Sequence, residues 1–296
     1  MISVVVCTRN RASNLERCLH HLRAMTHDPN LVWQLIVVDN GSEDGTRVVV
    51  EQYAKSLPIT YVYEGKRGLS HARNRGIATS RNPIIAFTDD DCLVRKDWLT
   101  SIYKAFALDA RLSVLGGKVE RAHAADHPLA TRLHDQTQEI RTLQQIMALM
   151  IGCNMSFRRD VLEAVGLFDA TLGKGTPIGS AEDIDLLYRA LLYGSRITYS
   201  RDVVVYHDHG RSTPSSIEEV TRDYVRCRGA FYWKFMSHRE VLRLAYWEVR
   251  RLLKHCVRPS DDSRTALRML AAGALYKCFG ARLATGAARV TNRFVT

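Results

Sequence analysis

The stretch Pro83-Ile84-Ile85-Ala86-Phe87-Thr88-Asp89-Asp90-Asp91-Cys92 decides the fold. Its apolar half, rich in β-branched and aromatic residues, predicts a buried strand. That strand runs straight into three consecutive carboxylates, whose mutual repulsion and desolvation call for a compensating cation. In an open α/β sheet, ligands bind at the carboxyl ends of strands, where these residues fall. Oxygen ligands of this kind suit Mg²⁺ or Mn²⁺, and a hard cation there would hold phosphate oxygens. Read more plainly, the same residues form a solvated acidic turn capping the helix that begins near Lys96.

Outward from this stretch, apolar runs alternate with helical patterns. Residues 2–7 predict a strand ending in the polar turn Thr8-Arg9-Asn10-Arg11. A helix over 13–25 follows, with Leu15, Cys18, Leu19 and Leu22 at helical spacing and Ser13 with Glu16 as a capping box. Residues 33–38 predict a strand ending in Asp39-Asn40-Gly41-Ser42, Asp44 starts a helix to about Lys55, and 59–63 make a third strand before a helix over 69–80. This alternation predicts a doubly wound, mainly parallel sheet flanked by helices. The polar turns after the first, second and fourth strands then share one edge.

Downstream, 98–108 reads as a helix and 113–119 as a strand. Residues 120–145, with His123, His127 and His134, read as an exposed segment beside the site. A strand over 152–157, a short helix over 158–165 and a glycine-rich loop over 172–179 lead to Ser180-Ala181-Glu182-Asp183-Ile184-Asp185-Leu186, a helix start that Ser180 can cap. Short strands over 197–199 and 203–206 run into His207-Asp208-His209.

Each of these sites has a bland and a chemical reading. Asp39 is either an Asx-turn residue over Gly41 or a carboxylate that accepts from a base or ribose. Gly68 to Gly76 places cationic side chains at a helix start suited to an anion, or on an exposed basic face. Glu182 and Asp183 are a well-charged first turn, or one of them is a general base on an acceptor hydroxyl. Asp185 should face away and is read as structural. His207 is a satisfied core histidine or a further metal ligand, with His209 as its competitor.

Taken in this order, the motifs resemble the family 2 glycosyltransferases, inverting enzymes of the GT-A (Rossmann-like) fold. The matching residues are Val4 to Asn10, Val37 to Ser42, Gly68-Leu69-Ser70, Ala72-Arg73-Asn74, Gly76 and Phe87 to Asp91. Gly152 to Phe157, Gly166 to Asp169, Glu182 to Leu186, Arg189, Gly194 and His207 complete the set, covering roughly residues 2–210. The resemblance implies that Thr8, Arg9, Asp39 and Arg73 contact the nucleotide, with Asp39 near the base. Asn10 and Asp90 would belong to the same donor-binding set, and Asp89 would meet the ribose or donor sugar. Asp91, the last carboxylate of a DXD motif, would hold the cation, with His207 completing its shell. Asp183 would be the catalytic base and Glu182 would bind hydroxyls. The implied reaction moves one sugar from a UDP- or dTDP-sugar to a saccharide or lipid-linked acceptor in cell-surface polysaccharide or glycolipid assembly. The Gln-x-x-Arg-Trp signature of processive synthases is missing after Asp183, which favours single additions.

Charge divides the chain. Residues 1–210 hold 25 Lys and Arg against 24 Asp and Glu, whereas 211–296 hold 17 against 7. The expected organisation is a catalytic domain over 1–210 (nucleotide-sugar half about 1–118, acceptor half about 119–210) and a basic helical region over 211–296. In that region, 239–257 places Val241, Leu242, Ala245, Val249, Leu252, Leu253 and Cys256 on one face, and a second helical stretch runs over 264–283. These helices are expected to pack on the catalytic domain or on a second subunit, as in a homodimer. The alternative is docking of 239–285 on an anionic membrane surface. Seven cysteines, odd in number and without CxxC spacing, predict reduced thiols and a cytoplasmic chain, peripheral on the inner face of the membrane if those helices dock. The start lacks a basic leader, and no run is long enough to span a bilayer. Nucleic-acid binding through the basic segment is the rival class, opposed by the acidic turns at the presumed ligand edge. A catalytically silent scaffold is another, and a nucleotidyltransferase is disfavoured because Thr8 to Arg11 contains no glycine.

Overall fold

A computed structural model of the chain describes residues 1–128, 130–210 and 214–255, with 270, 271 and 273. The first half forms β1 (Ile2–Thr8), α1 (Ala12–Arg23), β2 (Trp33–Asp39), α2 (Thr46–Tyr53), β3 (Ile59–Tyr63), α3 (Leu69–Thr79), β4 (Ile84–Asp89), β5 (Cys92–Val94) and α4 (Trp98–Leu108). Then follow β6 (Leu112–Arg121), β7 (Gln138–Ile140), α5 (Leu143–Leu149), β8 (Asn154–Arg158), α6 (Arg159–Val165), α7 (Glu182–Leu192), β9 (Arg196–His207), α8 (Pro214–Lys234) and α9 (Arg239–His255). They group into two compact units. One is Met1–Phe168 with Asp183–Ile217; the other is Asp169–Glu182 with the described residues from Glu218 onward.

The first unit is built on a sheet of order β3-β2-β1-β4-β8-β6-β9-β5, with β7 beside β9. The β1–β2, β1–β4, β2–β3 and β6–β9 pairs are parallel, while β8, β5 and β7 run against their neighbours. Six of the nine described strands therefore share one direction, giving the mixed, mainly parallel sheet. Register sets the site: Thr8 lies opposite Asp39, Asp39 opposite Tyr63, and Cys7 opposite Asp89. The three acidic or polar strand ends are thus level on one edge.

Alternation along β1 sends Val4 and Val6 into a core with Leu15, Leu19 and Leu22 of α1 and Trp98, Ile102 and Phe106 of α4. Full burial of each such side chain contributes about 1.5–3 kcal/mol. On the opposite face Val5 and Val38 pack beneath α3, where a Cβ at Gly76 would collide with Val5 Cγ1. Asn154 is a buried polar hub. It accepts from the Trp98 indole at 2.9 Å and donates to the carbonyls of Lys118 (3.0 Å) and Val203 (2.9 Å), tying α4, β6 and β9 to β8.

Local signals misplace several boundaries. The expected capping box does not form: α1 begins at Ala12 behind Arg11, so Ser13 is already helical. Asp44 does the capping instead, accepting from Ala12 N (2.9 Å) and Thr46 N (3.1 Å), so α2 starts two residues after it. Likewise α7 starts at Glu182 after Ala181 at φ 80°, leaving Ser180 two positions upstream. The two short strands over 197–206 are one strand, β9, whose register against β6 slips between Gly117 and Lys118. Residues 120–145 are not uniformly exposed. They contain β7, the start of α5 and a buried Asp126.

In the second unit the glycine-rich segment is pinned. Asp169 pairs with Lys234 at 2.7 Å, and Cys227 Sγ donates to Ile178 O at 2.8 Å. The inward face of α9 differs from its apolar stripe. Val241 and Glu248 are buried while Leu242, Tyr246 and Trp247 are exposed. Glu248 explains the rotation, because Arg228 (2.9 Å) and the Tyr232 hydroxyl (2.5 Å) hold its carboxylate on the buried side. The stretch over 264–283 lies outside the described residues except for 270, 271 and 273. No helix among the described residues is long and apolar enough to cross a membrane.

Candidate active site

The turn after β1 meets the turn after β4 through charge. Asp90 is buried; its Oδ2 accepts from Thr8 Oγ1 at 2.8 Å and its Oδ1 faces Arg11 Nη1 at 2.8 Å. The second Arg11 nitrogen reaches Asp91 Oδ2 at 2.9 Å. Asp91 Oδ1 faces His207 Nε2 at 3.4 Å, because β5 and β9 pair with Cys92 opposite His207 and Asp208 N bonds Asp91 O. Burial pushes Asp90 up to about 7, with Arg11 opposing. Burial also works to raise Asp91, but its hydrogen bond to His207, the charge of His207 and Arg11 hold it below the usual carboxylate range. For His207, burial favours the neutral ring, yet the Asp91 hydrogen bond together with the charges of Cys153, Asp91 and Asp89 outweighs it and takes the imidazole to about 9.

The second cluster joins Asp39 to the same edge. Asp39 accepts from Ser42 N (2.7 Å) and from the Tyr61 hydroxyl (2.8 Å), so the Asx-type turn forms with one oxygen while β3 holds the other. Asn40 beside it accepts from Gly68 N at 2.8 Å and donates to the carbonyls of Glu64 and Lys66, fixing the start of α3. From α3 the buried Arg73 reaches Asp89 at 3.1 Å and lies over the Phe168 ring at 5.3 Å. Gly152 borders this arginine, since a Cβ there would lie 3.0 Å from Arg73 Nη2 and 3.2 Å from Asp183 Cβ. Asp183 Oδ2 accepts from Gly152 N at 2.8 Å and its Oδ1 from Ile184 N at 2.8 Å. Asp183, Gly152, Arg73 and Asp89 therefore form a continuous line at the sheet edge.

Asp91, Cys92 and His207 form the one metal-capable cluster among the described residues. Cys92 is a poor member, because its hydrogen bond to Cys153 and burial push its thiol well above its ordinary value. Asp91 and His207 fit a hard or borderline divalent ion. Both are buried, they offer carboxylate oxygen and imidazole nitrogen, and His207 Nδ1 has no hydrogen-bond partner among the described residues. An ion bound to His207 would have to displace its proton.

The structure thus brings Thr8, Arg73, Asp89, Asp90, Asp91, Asp183 and His207 into contact or near contact in one network. Asn10 serves the scaffold: at φ 52° its side chain accepts from Glu43 N at 2.7 Å while its own amide bonds Ser42 Oγ at 3.0 Å. Arg9 lies half-buried on the same turn. Glu182 is buried at the start of α7 and belongs to the second unit. His209 packs edge-on against the His207 ring, 5.1 Å between centroids, with its Nε2 3.1 Å from His127 O. Asp185 pairs with Arg189 at 2.7 Å, and Arg189 also donates to the carbonyls of Val165, Gly166 and Leu167.

Sequence reasoning missed Arg11, and it missed Asp208, which is buried between Arg17 (2.8 Å) and His123 (3.3 Å). The signal for Arg11 was a turn holding two arginines in a fold whose turn after the fourth strand carries three carboxylates.

The family model described as glycosyl transferase family 2 matches residues 3–166. Glycosyltransferase AglE of Haloferax volcanii is 29% identical over 210 residues, 70% of this chain and 66% of that protein. The succinoglycan biosynthesis protein ExoM of Rhizobium meliloti is 30% identical over 213 residues, 69% of this chain and 66% of that protein. The chain therefore spans just under two thirds of the length of these relatives. A solved mannosyltransferase of Pyrobaculum calidifontis, PcManGT in complex with GDP-Man and Mn²⁺, matches the fold with a TM-score of 0.66 at 22% identity, covering 98% of this chain and 80% of that one.

Proposed function

The chain belongs to glycosyl transferase family 2, and from that premise we propose that it moves one sugar from a nucleotide-diphosphate sugar to an acceptor hydroxyl, with inversion and with a divalent ion. The observation that carries this is the buried Asp91–His207 pair at 3.4 Å, on the same strand-end network as Asp183. Asp91 and His207 would hold the Mn²⁺ or Mg²⁺. Such an ion, when bound, stabilises the charge developing on the departing diphosphate. Arg73, held by Asp89 and Phe168, would add a fixed positive charge on the same sheet edge. Asp39 would read the base, with the Tyr61 hydroxyl and Ser42 amide holding its carboxylate in place. Asp89, 30% exposed in its side chain, would meet the ribose or sugar, with Thr8, Arg9, Asn10 and Asp90 shaping the same donor wall.

Asp183 would take the acceptor's proton. Its two backbone hydrogen bonds fix the carboxylate, and each oxygen keeps a lone pair for a hydroxyl. Attack opposite the leaving group in one displacement inverts the sugar centre, and Glu182 would bind hydroxyls of sugar or acceptor. A UDP- or dTDP-sugar is the favoured donor, and a saccharide or lipid-linked acceptor in surface polysaccharide or glycolipid assembly is consistent with the succinoglycan relative. The exposed Leu242, Tyr246 and Trp247 with Arg250 over the Trp247 ring (5.1 Å) favour peripheral contact of α9 with an anionic bilayer on its cytoplasmic face.

Nucleotide diphosphate release from a panel of UDP-, dTDP- and GDP-sugars, with Mn²⁺ and with chelator, tests the reading. Release should need the cation; release that chelator leaves unchanged overturns the metal assignment, and silence across the panel favours a scaffold.

A further inference from the structure

Arg11 spans two carboxylates, one of which, Asp91, a divalent ion would also want. Its Nη1 is 2.8 Å from Asp90 Oδ1 and its Nη2 2.9 Å from Asp91 Oδ2. The acids are fixed: Asp90 by Thr8, Asp91 by His207, with side chains only 5% and 7% exposed. Arg11 is the movable member, 37% exposed in its side chain and mounted on a flexible stem at the start of α1. Two adjacent buried carboxylates are costly without a cation, so this guanidinium satisfies a real electrostatic need.

We propose that Arg11 is a resident counter-ion that, anchored on Asp90, competes with the divalent cation for Asp91, so that metal binds well only together with a nucleoside diphosphate. The argument is one of charge. Asp89, Asp90 and Asp91 bring three negative charges when ionised, against which Arg11 and Arg73 already stand, with His207 facing Asp91. Adding a dication to that set overfills it, and a guanidinium next to the ion repels it. A diphosphate restores the balance and offers the released Arg11 a new partner, to which a guanidinium bonds well. Metal and donor binding are then positively coupled, and by linkage each strengthens the other by the same factor. This rests on the metal reading above.

The test is Mn²⁺ titration of the full chain, reading free Mn²⁺ by electron paramagnetic resonance, with and without UDP. Arg11→Gln should bind Mn²⁺ alone about tenfold tighter than the wild type, and UDP should then improve Mn²⁺ binding by correspondingly less, a change of ~1.4 kcal/mol in the coupling. A lesion that merely loosened the fold would weaken Mn²⁺ binding, so the sign is diagnostic. Arg17→Gln, which removes a nearby charge that sits on Asp208 instead, should gain less than about twofold. Should Arg11→Gln fail to fold, Arg11→Lys, whose single ammonium lacks the planar fork that spans both acids, should still gain about threefold. Unchanged or weaker Mn²⁺ binding in the folded Arg11 variant, or an equal gain in Arg17→Gln, overturns the competition. A wild type without Mn²⁺ affinity even beside UDP overturns the metal reading itself, and this inference with it.

Discussion

Two strand ends on one sheet edge, on either side of β1, hold their carboxylates in different ways. Asp39, ending β2, is satisfied by neutral, fixed donors: a backbone amide three residues on and the Tyr61 hydroxyl of the adjacent strand. Burial and the Asp39 carboxylate push that hydroxyl up to about 12, so it remains a donor at any working pH. Asp90 and Asp91, just past the end of β4, have the Thr8 hydroxyl on Asp90 but otherwise rely on charge, from Arg11 and from His207. Neutral donors built into a sheet cannot leave, whereas a side-chain cation can be exchanged for another cation. On the proposed reading, the first end would recognise the donor and the second would exchange ions.

The sharpest way to break this comparison is Asp91→Asn, which should cut nucleotide diphosphate release by about a thousandfold or more, since it would remove a ligand of the proposed charge-stabilising cation. Asp183→Asn should lose a similar factor with Mn²⁺ affinity preserved, a split that separates the proposed base from the metal site. Asp39→Asn should raise the donor KM by roughly 10–100-fold while kcat moves only a few-fold, the pattern of lost ground-state binding. Equal losses of kcat in the Asp39 and Asp91 variants would erase the distinction between the two ends. Tyr61→Phe should do less, raising the donor KM about threefold to tenfold, because one hydrogen bond of ~0.5–1.5 kcal/mol is gone.

The last effect is on stability. Burial opposes ionisation of Asp169, but the charge of Lys234 and its hydrogen bond, together with Thr171, hold it down to about 2. A carboxyl depressed in the folded state stabilises above its unfolded value near 4, and the benefit disappears as pH falls through about 2. Asp169→Asn should therefore cost about 1–2 kcal/mol in chemical denaturation at pH 6, and the two proteins should converge near pH 2. A constant gap across that range would show that the pair does not act through charge.

Much of the fold was legible because its signals are local. Nearly continuous apolar runs in β1, β2 and β4, and helical spacing in α1, depend on neighbours a few positions away. Errors arose where a distant residue took over a local task. Asp44 caps α1 from 32 positions away in sequence, so the capping box at Ser13 is not used. Glu248 turns α9 because Arg228 and Tyr232 meet it from α8. In the site, the acidic strand ends were visible as motifs, while Gly152 as the bridge between Arg73 and Asp183 was not, since the three residues come from separate segments.

By itself the sequence determined that strands end in carboxylates and polar groups, that these ends share an edge, and that positive charge gathers after residue 210. Composition and periodicity carry that much, because backbone conformation and burial follow short-range pattern. Only the tertiary structure decided which group answers each charge: Arg11 for Asp90 and Asp91, Tyr61 for Asp39, Arg17 for Asp208 across 191 positions. Coulomb and hydrogen-bond energies depend on distance through space, and separation along the chain does not report that distance.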